Sequence, residues 1–138
     1  SVFQEKIAAY VKKHELTDQV SFLGYLPDAE LTQLYQEVTA LVQPSFSEGF
    51  GLTGVEALAL RTPVLASDIP IFREIYQDAA HFFSPYSPSS FLYALHTLET
   101  TDLHTMLDKG QALTRRYSWK KMAEKTQALY AEAVKKRR

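Results

Sequence analysis

The chain has 138 residues, no Cys, 46% apolar and 12% aromatic positions, and a formal charge of −1. That is the length of one ordinary domain, and it excludes disulfide scaffolds and Cys-ligated zinc or iron–sulfur chemistry. No apolar run approaches the ~18 residues that a membrane-spanning helix needs, and no basic-then-apolar leader opens the chain, which sets the expectation of a soluble, intracellular domain.

The near-neutral total hides an asymmetry. Residues 1–114 hold six Lys/Arg against fourteen Asp/Glu, net −8, whereas residues 115–138 hold nine against two, net +7. An acidic body of this kind is a poor nucleic-acid surface, because phosphate binding rests on clustered Lys and Arg.

The first segment, from Ser1, reads as a helix, with Phe3, Ile7, Tyr10, Val11 and His14 at helical spacing. Val20-Ser21-Phe22-Leu23, closed by Gly24, reads as a short strand. Asp28 is a natural N-cap for a helix through Leu31, Leu34 and Tyr35. Ala40–Gln43 is a second strand candidate, stopped by Pro44 and followed by the Ser/Gly-rich stretch Ser45–Gly51 and a helix over about Leu52–Leu60. Val64–Ala66 is a third strand candidate, Ile69-Pro70 opens a short helix through Phe72 and Ile75, and His81–Phe83 is a fourth. Ser87-Pro88 is a cap-plus-first-turn pair for the helix holding Phe91, Leu92, Leu95 and Leu98. Two helices close the chain, Leu103–Tyr117 and Trp119 to about Lys135, the second capped by Ser118. Short apolar strands alternating with helices predict an α/β fold, an open, doubly wound parallel sheet covered on both faces. Because the pattern opens on a helix, it reads as a sheet whose first strands lie outside this stretch.

In open α/β sheets, ligands sit beyond the carboxyl ends of the strands, near helix N-termini. The segment after Gln43 is the candidate. Gly49 and Gly51 let the backbone approach a ligand and adopt positive φ, and the following helix turns unpaired N–H groups and a positive dipole end toward it. A diphosphate suits that geometry. Glu48 before the helix and Glu56 about one turn inside it can accept hydrogen bonds from hydroxyls on either side, which points to a sugar-bearing nucleotide. The same stretch spells G-x-G-x-x-G as Gly49, Gly51 and Gly54, with Asp68 after the next strand where a dinucleotide-binding acid would stand. The spacing argues against that match. In dinucleotide folds the glycines follow the strand at once, whereas Pro44–Glu48 intervene here.

The run Pro44-Ser45…Glu48-Gly49-Phe50-Gly51-Leu52…Glu56-Ala57-Leu58-Ala59…Thr62-Pro63-Val64-Leu65-Ala66-Ser67 resembles the GT-B-fold retaining glycosyltransferases often called group 1, whose E-x7-E motif corresponds to Glu48 and Glu56. Val20–Leu26, Glu74, Asp78-Ala79-Ala80 and Ser118-Trp119 also fall where such sequences carry similar residues, so the resemblance covers nearly the whole chain. It implies residues 1–138 as an incomplete nucleotide-sugar donor-binding domain, the Rossmann-like half of a GT-B fold. It implies that Glu48, the catalytic candidate, holds donor-sugar hydroxyls near the anomeric carbon. The backbone N–H groups of Gly49, Phe50, Gly51 and Leu52 would meet sugar and diphosphate, with Thr53 beside them. Glu56 would hold the ribose, and Tyr25 and Leu26 would lie against the base.

The implied reaction is retaining transfer of a hexose from a nucleotide-diphosphate sugar. It needs no metal or other cofactor, and the acceptor is a sugar or a lipid-linked sugar. The implied partner is the amino-terminal domain of the same enzyme, toward which the basic helix of residues 115–138 crosses. Two departures stand out. Thr53-Gly54 replace the Pro-plus-apolar pair usual in the family, and Gly within a helix costs about 1 kcal/mol against Ala, which predicts a loosened helix start. The family also neutralises the diphosphate with an Arg and a Lys on the first strands of this half, which this stretch lacks.

Plainer readings stand beside these. Glu48 alone could be a solvated loop carboxylate, and Glu56 could do no more than stabilise a helix start. Asp28 and Asp68 read as cap or turn residues. The four His show no metal spacing, and Ser45 and Ser47 lack the G-x-S-x-G elbow of hydrolases. Phe82, Phe83, Phe91 and Tyr93 read as core with a partly exposed edge, and Met122, Leu129, Tyr130 and Ala133 form one helix face that needs a partner. Lys135-Lys136-Arg137-Arg138 complements a helix dipole or favours an anionic lipid surface, the latter suiting a cytoplasmic enzyme peripheral to the membrane. Two other functions remain open at this point: an NAD(P)-binding oxidoreductase domain, and a non-catalytic α/β assembly domain.

Overall fold

The computed structural model of the chain describes residues 2–136. Residues up to Leu31 form one compact unit and residues from Thr32 onward another. In the first unit, α1 spans Val2–Lys13. Its turn carries Leu16 N–H back to Val11 O at 2.9 Å. Residues 20–27 then run without regular structure. The strand expected at Val20–Leu23 is therefore absent. A β-rich run becomes a strand only with a neighbour to share its ladder, and among the described residues it has none, leaving Val20, Phe22 and Leu23 exposed. Helix α2, Asp28–Glu37, begins in this unit and ends in the second. Leu31 N–H donates to Pro27 O at 2.9 Å, so Pro27 is the N-cap and the expected cap, Asp28, is already the first helical residue.

The second unit is built on three parallel strands in the order β1-β2-β3: β1 Leu41–Gln43, β2 Val64–Ser67 and β3 His81–Phe83. Val42 pairs with Leu65 and Ala66 with Phe82, so the carboxyl ends of all three strands point the same way. Parallel neighbours require crossover connections. Helix α3, Leu52–Ala59, supplies the first, and α4, Pro70–Tyr76, with a 3₁₀ turn over Gln77–Ala79, supplies the second. Helices α5, Pro88–Thr100, α6, Leu103–Thr114, and α7, Trp119–Lys135, complete the chain.

Alternate strand residues face opposite sides. Leu65 and Phe83 share one side and pack with Ala94 and Leu98 of α5 and Met106 of α6. Gln43, on the other side, meets Tyr76 of α4. The sheet is thus covered on both faces, as the near-continuous apolar strand runs require, and β2 is buried at every position. Phe83 and Phe91 meet edge to face at 5.2 Å, while Tyr93 is exposed.

Polar side chains set the helix ends. Ser87 Oγ accepts from Ser90 N–H at 3.2 Å, Asp102 from His104 N–H at 3.0 Å, and Ser118 Oγ from Lys121 N–H at 3.4 Å. Helix α3 ends in a Schellman motif, with Thr62 N–H to Ala57 O at 2.9 Å and Arg61 N–H to Leu58 O at 3.2 Å. The left-handed position that usually takes Gly is Arg61, at φ 64°. Its guanidinium reaches α6, donating to Asp108 at 2.7 Å and Gln111 at 3.1 Å. The short loop after it is anchored by Thr62 Oγ1, which donates to Tyr35 O at 2.6 Å.

Gln77 ends α4 at φ 50°, ψ −125°, a region that side chains disfavour. Strain of about 1–3 kcal/mol at such a residue exceeds the ~0.5–1 kcal/mol of chain entropy that Gly adds to the unfolded state. Gln77→Gly is therefore expected to raise stability by about 1 kcal/mol. A denaturant midpoint that falls instead would show the backbone there to be unstrained.

Candidate functional site

The chain leaves β1 at Gln43, turns at Pro44 and reaches α3 eight residues later. In that turn Ser45 Oγ donates to Glu48 Oε1 at 2.8 Å, which holds an exposed carboxylate in one orientation. Gly49 lies in an ordinary backbone region, and a Cβ built on it meets nothing within 4 Å. Of the two glycines expected to adopt positive φ, only Gly51 does so. Phe50 turns its ring inward, edge to face with Tyr117 at 5.0 Å. Its backbone is thereby fixed beside two glycines.

Gly51 is the N-cap of α3 at φ 90°, ψ 44°. Its carbonyl accepts from Gly54 N–H at 3.1 Å and Val55 N–H at 3.3 Å. Leu52 and Thr53 are exposed in the first turn, where an α-helix leaves its N–H groups without intrahelical partners. Glu56 follows one turn on, also exposed. Its charge adds to the burial that pushes the Tyr35 hydroxyl pKa up. The loop and first turn thus bring Glu48, Gly49, Phe50, Gly51, Leu52, Thr53 and Glu56 together beyond the carboxyl end of β1. Tyr25 and Leu26 belong to the first unit, Tyr25 being 88% exposed.

Beneath the loop lies a residue that sequence reasoning missed. Tyr76, fully buried, places its hydroxyl 2.6 Å from Gln43 Oε1 and 2.7 Å from Gly51 O. Burial pushes its pKa well up, and the Glu48 charge works in the same direction, so the phenol keeps its proton. A Cβ on Gly54 would collide with that hydroxyl and stand 2.5 Å from both Tyr76 Cζ and Gln43 Oε1. The expectation that Gly54 loosens the helix start is therefore corrected. Its missing side chain is the space that Tyr76 fills.

The cations of the second unit's body, residues 32–114, are engaged. Arg73 holds Asp68 through two bonds of 2.6 and 2.7 Å, which keeps the Asp68 carboxyl below its usual pKa, and stacks over the Phe82 ring at 4.0 Å. Asp68 is thus a structural partner and not an open acid for a ribose. Arg61 pairs with Asp108 at 2.7 Å and Lys109 with Asp78 at 3.6 Å. These three are all the Lys and Arg of residues 32–114. Among the described residues no cluster of three His, Asp or Glu is placed to hold a metal ion. An apolar hollow of about 290 Å³ between Val42, Pro44, Phe83 and Phe91 lies beside this site and includes none of Glu48–Glu56.

Helix α7 has no buried residue among those described. Trp119, Met122, Leu129 and Tyr130 are exposed along it. In the basic run at its end, Lys136 pairs with Glu132 at 2.7 Å, while Arg137 and Arg138 lie outside the described residues. No helix among the described residues is long and apolar enough to cross a membrane.

A doubly wound α/β sheet with a glycine-capped helix start and two flanking carboxylates defines a Rossmann-like half. The profile of the family described as "Glycosyl transferases group 1" matches residues 3–116. The chain belongs to that family, and its fold is that of the carboxyl-terminal half of a GT-B glycosyltransferase. It is 42% identical over 85 residues to the O-antigen chain mannosyltransferase RfbU of Salmonella typhimurium, covering 62% of this chain and 24% of that protein. It is 31% identical over 120 residues to the O-antigen biosynthesis glycosyltransferase WclY of Escherichia coli, covering 87% and 33%. The sucrose-phosphate synthase of Thermosynechococcus elongatus superposes with a TM-score of 0.85 at 23% identity, over 97% of this chain and 35% of that one. The chain therefore spans between a quarter and about a third of the length of these proteins.

Proposed function

We propose that this chain supplies the donor half-site of a retaining glycosyltransferase that moves a hexose from a nucleotide-diphosphate sugar to a sugar or lipid-linked sugar acceptor. The name of the RfbU relative, a mannosyltransferase, favours mannose as the hexose. The observation that carries the reading is the turn from Gln43 to α3. It sets a Ser45-oriented carboxylate, an open glycine and an unpaired helix start within nine residues of a second carboxylate.

In this reading Glu48 accepts hydrogen bonds from donor-sugar hydroxyls. The N–H groups of Gly49, Phe50, Gly51 and Leu52, with Thr53 beside them, meet the sugar and diphosphate. The positive end of α3 favours the anion. Glu56 accepts from the ribose. The helix start carries only a fraction of a charge, and Arg61, Arg73 and Lys109 are already paired. The cations that stabilise the departing diphosphate then come from beyond residues 32–114. The bare face of α7 supports its crossing to an amino-terminal domain of the same protein. Transfer needs no metal, and the protein works in the cytoplasm, at the membrane surface where its acceptor is lipid-linked.

Release of a nucleoside diphosphate from a sugar nucleotide by the protein carrying this chain tests the reading. Glu56→Ala is expected to weaken nucleotide binding by about 1–3 kcal/mol, the worth of hydrogen bonds to a charged group. Its effect falls on KM more than on kcat, because ribose contacts do not change as the reaction proceeds. Unchanged KM with a large loss of kcat would contradict the ribose assignment.

A further inference from the structure

We infer that Tyr76 is a positioning residue of the donor site: its hydroxyl, held by Gln43, clamps the Gly51 carbonyl and so fixes the first turn of α3. The inference rests on the donor-site reading above and adds to it a residue outside the E-x7-E segment.

The geometry is specific. A phenol has one proton, and a backbone carbonyl can only accept. The hydroxyl bonds both neighbours at once when Gln43 turns its side-chain amide so that Nε2 donates to the hydroxyl, and the hydroxyl then donates to Gly51 O. The Gly51 carbonyl is therefore gripped from two directions, by Tyr76 and by the amides of Gly54 and Val55. Its orientation decides where the neighbouring N–H groups point, because the peptide is planar and the carbonyl of Gly51 shares its plane with the N–H of Leu52.

Two glycines make room for this clamp. Side chains at residues 51 and 54 would both run into the Tyr76 hydroxyl, so the ring occupies the volume that their missing Cβ atoms leave. The ring is itself fixed, stacked on Phe72 at 5.0 Å and fully buried. Burial raises the pKa of the hydroxyl, so it keeps its proton.

The test is Tyr76→Phe in the protein carrying this chain, which removes the hydroxyl and keeps the ring. Three quantities are read: the dissociation constant for whichever of UDP, GDP and ADP binds the wild type, the thermal midpoint, and amide hydrogen exchange. The expected result is about tenfold weaker nucleotide binding per folded molecule, the loss of one well-placed hydrogen bond. Exchange at Gly54 and Val55 should also be accelerated at least about tenfold, with the β2 amides of Val64–Ser67 unchanged. Gln43→Leu, which leaves the hydroxyl bonded to Gly51 alone, is expected to weaken binding about two- to threefold, and it serves if Tyr76→Phe fails to fold. A lower thermal midpoint with unchanged affinity, or exchange raised uniformly across the unit, would make Tyr76 a packing residue and overturn the inference. If the wild type binds no nucleoside diphosphate, the donor-site reading itself fails, and the exchange data still report whether the hydroxyl fixes the first turn of α3.

Discussion

Replacing Glu48 by Ala in the protein that carries this chain is expected to lower turnover about 100-fold while leaving stability within about 0.5 kcal/mol of wild type. The two halves of that expectation have separate causes. The carboxylate is exposed and receives a single side-chain hydrogen bond, from Ser45, so the fold loses little when it goes. In the donor-site reading the same group touches the sugar near the reacting carbon, where positive character grows as the diphosphate leaves. A fixed negative group there is worth more in the transition state than in the bound substrate, so kcat falls more than KM rises. Kinetics with saturating donor, set beside a denaturation curve, check both halves. A variant with full turnover would remove Glu48 from the reaction.

Gly51→Ala is expected to cost about 3 kcal/mol of stability and to abolish donor binding. Holding a residue with a side chain at φ 90° costs about 1–2 kcal/mol. The new methyl group would meet the Tyr76 hydroxyl and stand 2.8 Å from Phe72 Cε1, both fully buried. Overpacking of that kind adds about 1–3 kcal/mol. Against a total stability of about 5–15 kcal/mol, this is a large loss. Gly49→Ala provides the contrast. A Cβ there meets only open space, so stability should hold, whereas donor binding should fall because, in the donor-site reading, the methyl group projects into the volume that the ligand takes. Equal loss of stability in both variants would mean that the loop is not arranged as described. Chemical denaturation followed by nucleotide titration checks the pair.

Much of the fold was legible because its signals are local. Ser87 and Ser118 each accept from the N–H three residues on, as their sequence positions predict. The apolar runs at 41–43, 64–67 and 81–83 are strands of one parallel sheet, the middle one buried at every position. Val20–Leu23 carries the same signal and is no strand, because pairing depends on a neighbour that no local pattern can supply. Arg61 occupies a left-handed position without the glycine that usually marks one, and its ion pair with Asp108 lies 47 residues away in sequence.

The site divides the same way. Glu48, Gly51 and Glu56 were visible as a spaced motif, and the structure gathers them at one helix start. The clamp beneath them was not visible. Tyr76 lies 25 residues beyond Gly51 and 33 beyond Gln43, and a steric fit between distant residues leaves no periodic mark. The one trace was Gly54, whose cost to helix propensity was plain and whose benefit was hidden. A glycine inside a helix start asks which side chain fills its place, and here the answer is a phenol.

The most direct test of the donor half-site is an amide NMR titration of this chain with UDP, GDP, ADP and NAD. Shifts are expected at Gly49–Leu52 and around Glu56 with one of the three nucleoside diphosphates and none with NAD. Shifts at those amides with NAD alone, or nucleotide shifts confined to the apolar hollow between Val42 and Phe91, would contradict it.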